Sequence, residues 1–382
     1  MYEKLEKEQE NLEPADKIKT TRWYSDIFSI VKKTTRDKIA FCALILLVSL
    51  YIVSFFADVL APYSKEFSIR DLTYAPPTKI YLIDQEGRLS WPYVYNYTRQ
   101  FNIQTLKQEY IQDKEKKYYI KFFVPGEKYK IVGLIPMNLR FFGVEEGGYI
   151  FLLGTDINGR DNFSRLLYGG QVSLTIGFFA LFIAFPIGLL YGGISGFYGG
   201  FVDAFMMRLA EAIMSIPSFY LLITLSVILP EGMSARLRFA LITVILAFIS
   251  WAGFARVVRG MVLSIKNLEF VESSIAMGAS NLRTIVRHII PQTASYVIVA
   301  MTLAVPGYIL AESALSFLGL GIQQPDASWG NMLKEAQNYT NVIHRPWLLT
   351  PGVLIFFAVL SFNLIGDTVR DILDPRSKMR QT

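Results

Sequence analysis

Residues 172–194 read VSLTIGFFALFIAFPIGLLYGGI, 23 consecutive positions without a charged side chain. Coiled as a helix, such a run crosses the roughly 30 Å hydrocarbon core of a bilayer, for which about 20 apolar residues are enough. Outward from it, one similar block lies upstream, Ile39–Ala61, and four lie downstream: Met206–Leu229, Leu237–Phe254, Tyr296–Leu318 and Trp347–Ile365. The apolar share of 52% and the mean hydropathy of +0.34 agree with this pattern. The expectation is an all-α polytopic membrane protein with six transmembrane helices. Pro186, Pro217 and Pro306 are positions where spans kink, around a cavity or simply in packing.

Basic residues orient the spans. Arg256, Arg259, Lys266, Arg283 and Arg287 follow the fourth block, and Arg370, Arg376, Lys378 and Arg380 follow the sixth. These segments are expected on the cytoplasmic side, and with six spans both termini lie there. Arg236 and Arg238, between the third and fourth blocks, run against that bias. Residues 1–38 read as a cytoplasmic tail. In it Trp23, Ile27, Ile30 and Val31 recur at helical spacing before Lys32, Lys33, Arg36 and Lys38, as in an amphipathic helix on an anionic membrane face; a solvated tail is the alternative. A tail of that length ahead of residues 39–61 makes the first block a retained anchor rather than a cleaved signal.

Residues 62–152 are polar and strand-like, too long for a structureless loop. They predict an outward-facing β-rich insertion between the first two spans. Lys117–Val124 alternates in part, Pro125-Gly126 reads as a turn, and Tyr129–Ile135 returns, which together describe a hairpin. Trp91, Tyr93, Tyr95 and Tyr97 share one face of an extended strand, where they fill a core or meet a ligand or docking protein.

Several chemistries are excluded. Cys42 is the single cysteine and His288 and His344 are the two histidines, so no disulfide and no thiolate or histidine metal site is expected. The net charge of +6 comes from basic residues interleaved with apolar blocks, with no stripe for nucleic acid. No phosphate-cradling Gly-x4-Gly-Lys-Ser/Thr loop and no hydrolase motif occurs, so the chain is not expected to be an enzyme.

The loop at 256–291 is the most informative segment. From Asn267 it reads NLEFVESSIAMGASNLRTIVRHIIP, patterned but too polar to cross a membrane. Asn267 is the expected N-cap of a short helix, with Glu269 and Glu272 near its positive end and Gly278 as a left-handed stop. Ser280 then caps a second helix whose stripe Leu282, Ile285, Val286, Ile289 and Ile290 ends at Pro291. Such an elbow suits a force-transmitting contact with another protein; by pattern alone an interfacial hairpin fits equally.

Glu272, Gly278 and Pro291, with Ala276 and Ala279, resemble the "EAA" signature of permeases in ABC importers, Ser273 and Ser274 standing where alanines are usual. Three further segments are similar to the second, C-type subunit of the peptide/nickel permease family: LGTDINGRDNFSRLLYGGQVSL from Leu153, SFLGLGIQQPDASWGNML from Ser316 and FNLIGDTVRDILDPR from Phe362. The likeness covers Ile39–Ala61 and nearly all of Leu153–Arg376. It implies a type I ABC importer permease fold, with a core at 153–367 and a cytoplasmic tail at 368–382, in a bacterial cytoplasmic (inner) membrane.

By that resemblance, Glu272, Ser273, Ser274, Ala276, Gly278, Ala279 and Pro291 couple to an ATPase. Gly154, Asp156, Gly159, Arg160 and Asp161 form an outer-face motif, functional or simply a turn that caps the second span. Glu312 is a pathway candidate or a contact with the second permease; Gly319, Gly321 and Trp329 are a gate, a binding-protein contact or plain turn chemistry. Asp203, Arg208 and Glu211 anchor the third span, Arg208 pairing with either acid. The implied partners are a homologous permease in a heterodimer, two ATP-binding subunits carrying ATP-Mg, an external solute-binding protein and the lipid bilayer. No cofactor belongs to this chain. Peptides are the implied cargo, with nickel chelates or another small solute as the alternative. A self-sufficient channel or secondary carrier, and a membrane-anchored binding module, are the rival classes.

Overall fold

A computed structural model describes residues 37–373 except 85, 104–106, 132–134 and 231. The amphipathic segment at Trp23–Val31 and the basic Arg376, Lys378 and Arg380 lie outside the described residues. Helix α1 spans Lys38–Phe55, opened by the Asp37 carboxylate, which accepts from the Ile39 amide at 2.9 Å. A single turn, α2 (Ala57–Leu60), follows. After the insertion, α3 (Asn162–Tyr198) runs for 37 residues, about 55 Å at helical rise. Then come α4 (Gly200–Met214), α5 (Ser218–Val227) and α6 (Ala235–Ile265), and, past the elbow, α7 (Glu269–Ala276), α8 (Asn281–Thr284) and α9 (Ala294–Phe317). Short helices α10 (Trp329–Leu333) and α11 (Tyr339–His344) precede α12 (Thr350–Leu373).

Among the described residues five helical stretches are long and apolar enough to cross a membrane: α1, α3, α6, residues 281–317 and residues 346–373. A sixth span exists only if α4 and α5 count as one, and these are bent by 75°. The third block is therefore broken rather than continuous. Pro217 sits at the break, where it offers no amide to the preceding turn and disfavours helix in the residue before it. Pro186 and Pro306, by contrast, lie inside uninterrupted α3 and α9.

The core of the bundle is the pair α3 and α6. Gly188, Gly192 and Gly196, one turn apart, face α6; a Cβ on Gly192 would stand 2.3 Å from the Ala255 carbonyl oxygen, and one on Gly196 2.8 Å from that of Arg259. Backbone thus packs on backbone, as small residues permit between helices in lipid. Because α3 enters from the insertion and ends beside the last turns of α6, the insertion and the elbow lie at opposite ends of the bundle.

The insertion is strand-containing, as expected. Strands β1 (Tyr81–Ile83), β2 (Leu89–Val94), β5 (Tyr118–Ile131) and β6 (Ile135–Val144) form an antiparallel sheet in the order β1-β2-β5-β6, while β3 (Tyr97–Asn102) and β4 (Lys107–Gln112) pair separately. The hairpin differs from its sequence reading. Strand β5 runs straight through Pro125-Gly126, which form an irregularity between Pro125 and Tyr129 rather than a turn. Tertiary packing overrides the turn signal: the Arg140 side chain crosses Gly126, where a Cβ would lie 2.7 Å from its Cγ. The aromatic row is also broken, because β2 ends at Val94. Tyr93 and Tyr95 are buried edge-to-face at 5.5 Å, Trp91 is exposed, and Tyr97 donates to the Pro77 carbonyl at 3.1 Å.

Arg140 also fastens the insertion to the bundle. Buried to 3% exposure, its Nη1 donates to the carbonyls of Asp58 (2.9 Å) and Ala61 (3.2 Å) and lies 3.1 Å from the Tyr168 hydroxyl of α3. It satisfies carbonyls left over where α2 ends.

Candidate functional site

The elbow is built on a clamp. Val271 of α7 is fully buried and packs with Val258 and Val262 of α6 and with Ile289, while Ser274, one turn on, is buried at 2%. Gly278 closes the helix at φ +84°, its amide donating to the Ile275 carbonyl and that of Ala279 to Ser274. Glu272, Ser273, Ala276 and Gly278 are exposed, and Ala279 is half-buried. Apolar Phe270, Ile275, Met277 and Leu282 are exposed beside them. The elbow thus presents a rigid, partly apolar face with a carboxylate in its first turn.

Three details depart from the sequence reading. The residue preceding α7 is Leu268, with no side-chain cap; Asn267 stands one residue too early. Ser280 occupies the cap position of α8 without a side-chain bond. And Pro291 does not end the second helix. A wide π turn at Ile285–Ile289 and a 3-10 turn at Ile290–Thr293 carry the chain past it into α9. Such irregular turns absorb the amide that proline lacks. They also split the expected stripe: Ile285 and Ile289 are buried, Leu282 and Val286 exposed.

At the other end, Glu312, Gly319, Gly321 and Trp329 come together. Glu312 is fully buried and accepts from Ser316 Oγ (2.6 Å) and from Ser173 Oγ of α3 (2.9 Å). Ser173 Oγ in turn accepts the Trp329 amide at 3.1 Å, and Ser316 Oγ the Ile322 amide at 2.9 Å. Gly319 turns the chain at φ +82°, and Gly321 lies so close that a Cβ would stand 2.2 Å from Ser316 Oγ. Trp329, 1% exposed, donates its indole to the Leu166 carbonyl at 3.0 Å. Arg238, the basic residue at odds with the charge bias, is buried here and donates to the carbonyls of Gly321 (3.3 Å) and Pro230 (3.0 Å). Ser173 and Arg238 gave no spacing signal as members of this cluster.

Gly154, Asp156, Gly159, Arg160 and Asp161 form a clasp over the start of α3. Asp156 Oδ1 accepts the amides of Asn158 (2.8 Å) and Arg160 (2.9 Å), and its Oδ2 meets Arg160 Nε at 2.7 Å. Asp161 caps α3 through Ser164, amide at 2.8 Å and hydroxyl at 2.7 Å. Burial nonetheless pushes its carboxyl up to about 7 against the pull of those bonds. Gly159 sits at φ +72°, and a Cβ there would be 1.9 Å from the Ile69 carbonyl oxygen, so the clasp grips the first stretch of the insertion. Glu335, absent from the sequence reading, accepts the Ile157 amide at 3.1 Å; burial, with the Asp156 charge nearby, raises its carboxyl to about 7.

Of the two acids expected to pair with Arg208, the structure selects Glu211. Arg208 meets Glu211 at 3.2 Å, but Asp203 pairs with Arg259 of α6, whose Nε lies 3.0 Å away. Arg208 lies five residues on from Asp203, a spacing that puts the two on different helix faces. Glu211 is shared with Arg256 at 3.1 Å. Arg256 and Arg259 belong to α6 itself rather than to a loop.

Residues 184–379 match the family model described as binding-protein-dependent transport system inner membrane component, and residues 29–77 match the N-terminal TM domain of oligopeptide transport permease C. The chain is 43% identical over 225 residues to the dipeptide transport system permease protein DppC of Bacillus subtilis, covering 58% of this chain and 68% of that protein. It is 43% identical over 232 residues to the oligopeptide transport system permease protein OppC of Haemophilus influenzae, covering 60% and 72%. Over 226 residues it is 39% identical to the glutathione transport system permease protein GsiD of Pectobacterium atrosepticum, covering 59% and 73%.

Proposed function

Because the chain belongs to the family of binding-protein-dependent transport system inner membrane components, as a C-type permease of the oligopeptide and dipeptide kind, we propose that it forms half of the translocation pathway of a peptide importer. A homologous permease completes the pathway, two separate subunits hydrolyse ATP-Mg, and an external binding protein delivers cargo. The elbow end faces the cytoplasm with both termini, and the insertion faces outward. The basic residues Arg256, Arg259, Lys266, Arg283 and Arg287, gathered at the elbow end, support that orientation.

The observation that carries the reading is the rigidity of the elbow: Val271 clamped on α6, Gly278 at φ +84°, and an exposed face bearing Glu272. A partner pressing on that face moves α6 through the valine clamp and α9 through the continuous turn at 285–293. Closure of the ATPase pair then tilts both spans together. Cargo identity is supported by the relatives' names; a nickel chelate or another small solute is the alternative cargo in the same machinery.

The test is ATP hydrolysis by the co-expressed complex in lipid discs, with binding protein present, as a peptide pool is added. Stimulation by peptides that disappears in Glu272→Lys supports the reading. Stimulation by another solute alone changes the cargo. Failure of any ATPase to copurify, or uptake without one, favours a self-sufficient channel or carrier and overturns it.

A further inference from the structure

Between the insertion-end turns of α1 and α3 lies an open groove of about 560 Å³, with Ile52, Phe55 and Phe56 on its apolar side and Ser54, Asp58 and Gln171 on its polar side. We propose that it binds one zwitterionic aminophospholipid, with the ammonium on Asp58 and the phosphate and ester oxygens on Ser54 and Gln171. This goes beyond the transport reading and stands independently of it.

The apolar part of the groove continues the membrane-facing surface of α1, where Ile52 (52%), Phe55 (54%) and Phe56 (43%) are exposed. It opens where the span gives way to α2, the depth at which a lipid changes from chain to headgroup. The polar groups sit at that level. Among the described residues the Ser54 hydroxyl and the Gln171 carboxamide have no hydrogen-bond partner, whereas Thr175 is committed to the Gln171 carbonyl of its own helix. Gly170 keeps the floor open, since a Cβ there would lie 2.1 Å from Ser54 Oγ.

Asp58 is half-buried and has no ion-pair partner among the described residues; the Tyr168 hydroxyl stands beside its carboxylate as a hydrogen-bond donor, which leaves further acceptor positions on the two oxygens for an ammonium. The cations whose field reaches it, Arg140 and Lys65, are engaged elsewhere: Arg140 on backbone carbonyls and Lys65 on Asp326 at 2.6 Å. A carboxylate at a membrane surface beside committed cations offers complementary sites to a headgroup carrying both charges. An anionic lipid without an amine, such as phosphatidylglycerol, has no ammonium to offset its repulsion from Asp58, and a choline headgroup has no N–H to donate to it.

The full chain, purified with the subunits that accompany it, is placed in discs of phosphatidylethanolamine, phosphatidylcholine and phosphatidylglycerol and examined by native mass spectrometry. One phosphatidylethanolamine retained per chain, in preference to the other two, is expected. Asp58→Asn reduces that retention roughly tenfold, the scale of one charge-assisted hydrogen bond, and Gln171→Leu reduces it several-fold. Both variants keep the wild-type thermal midpoint in discs free of phosphatidylethanolamine. Equal retention by wild type and both variants, equal retention of the three lipids, or a cross-link from Gln171→Cys to the second permease in place of lipid would overturn the assignment.

Discussion

The Ser173 hydroxyl donates to the Glu312 carboxylate across 2.9 Å and joins α3 to α9 where both are fully buried. The same oxygen accepts the Trp329 amide, so the bond also fixes the loop that returns toward α12. Ser173→Ala removes a donor from a buried carboxylate and leaves a buried amide unpaired, a cost of about 1–3 kcal/mol per group. The thermal midpoint of the purified chain should fall by several degrees. Glu312→Gln retains acceptor capacity and should be milder. A Glu312→Gln protein of unchanged stability that loses uptake would instead make this residue part of the pathway.

At the elbow, Gly278 has open space around its α-carbon, with nothing within 4 Å of a Cβ placed there. The penalty for a side chain is therefore backbone strain alone, about 1–2 kcal/mol for positive φ and greatest for a β-branched residue. Gly278→Val should leave the bundle inserted and stable while misdirecting the elbow, so that ATP hydrolysis persists without uptake. Glu272→Lys, exposed and without a packing role, should uncouple in the same way. Paired ATPase and uptake measurements check both; wild-type uptake in Glu272→Lys removes the coupling role.

Five of the six spans were legible because an apolar block of about 20 residues has few other uses; the close approach of Gly188, Gly192 and Gly196 to α6 emerged only from the structure. What escaped depended on partners far along the chain. Asp203 finds Arg259, 56 residues away, while the nearer Arg208 is excluded by helical geometry. The Pro125-Gly126 turn signal was local and lost to Arg140, which needs the glycine to pass. Glu312 was visible as an ionisable residue in an apolar block, but Ser173, which holds it, looked like any small residue in a span.

Glu335 and the clasp predict an acid-stabilised insertion end. Its carboxyl titrates near 7 in the folded chain and near 4.5 when exposed. The folded state therefore holds its proton longer; the stabilising contribution is complete below about pH 4.5 and is lost as pH rises through 7. Asp161 shifts in the same direction for the same reason of burial. The thermal midpoint should decline between pH 5 and pH 8, and Glu335→Gln, which stays neutral, should flatten that slope. An unchanged slope in Glu335→Gln would mean that the carboxyl is ionised across the whole range.

Arg140 ties the insertion to the membrane bundle: Nη1 is shared among the Asp58 and Ala61 carbonyls and the Tyr168 hydroxyl, and the guanidinium stacks 5.0 Å from the Tyr129 ring centre. Arg140→Met keeps much of the volume but strands those carbonyls, an expected local loss of about 2–4 kcal/mol. Because α1 and α3 pack on the rest of the bundle independently of β6, the loss should stay at the insertion. Hydrogen exchange should quicken across residues 118–131 and 135–144 while the amides of α3 and α6 keep their protection. Arg140→Lys should rescue little, since one ammonium on a straight stem cannot fan out over the same acceptors. Uniform acceleration through α3 and α6 would mean that the insertion and the bundle fold as one cooperative unit, with Arg140 a core residue rather than a fastening.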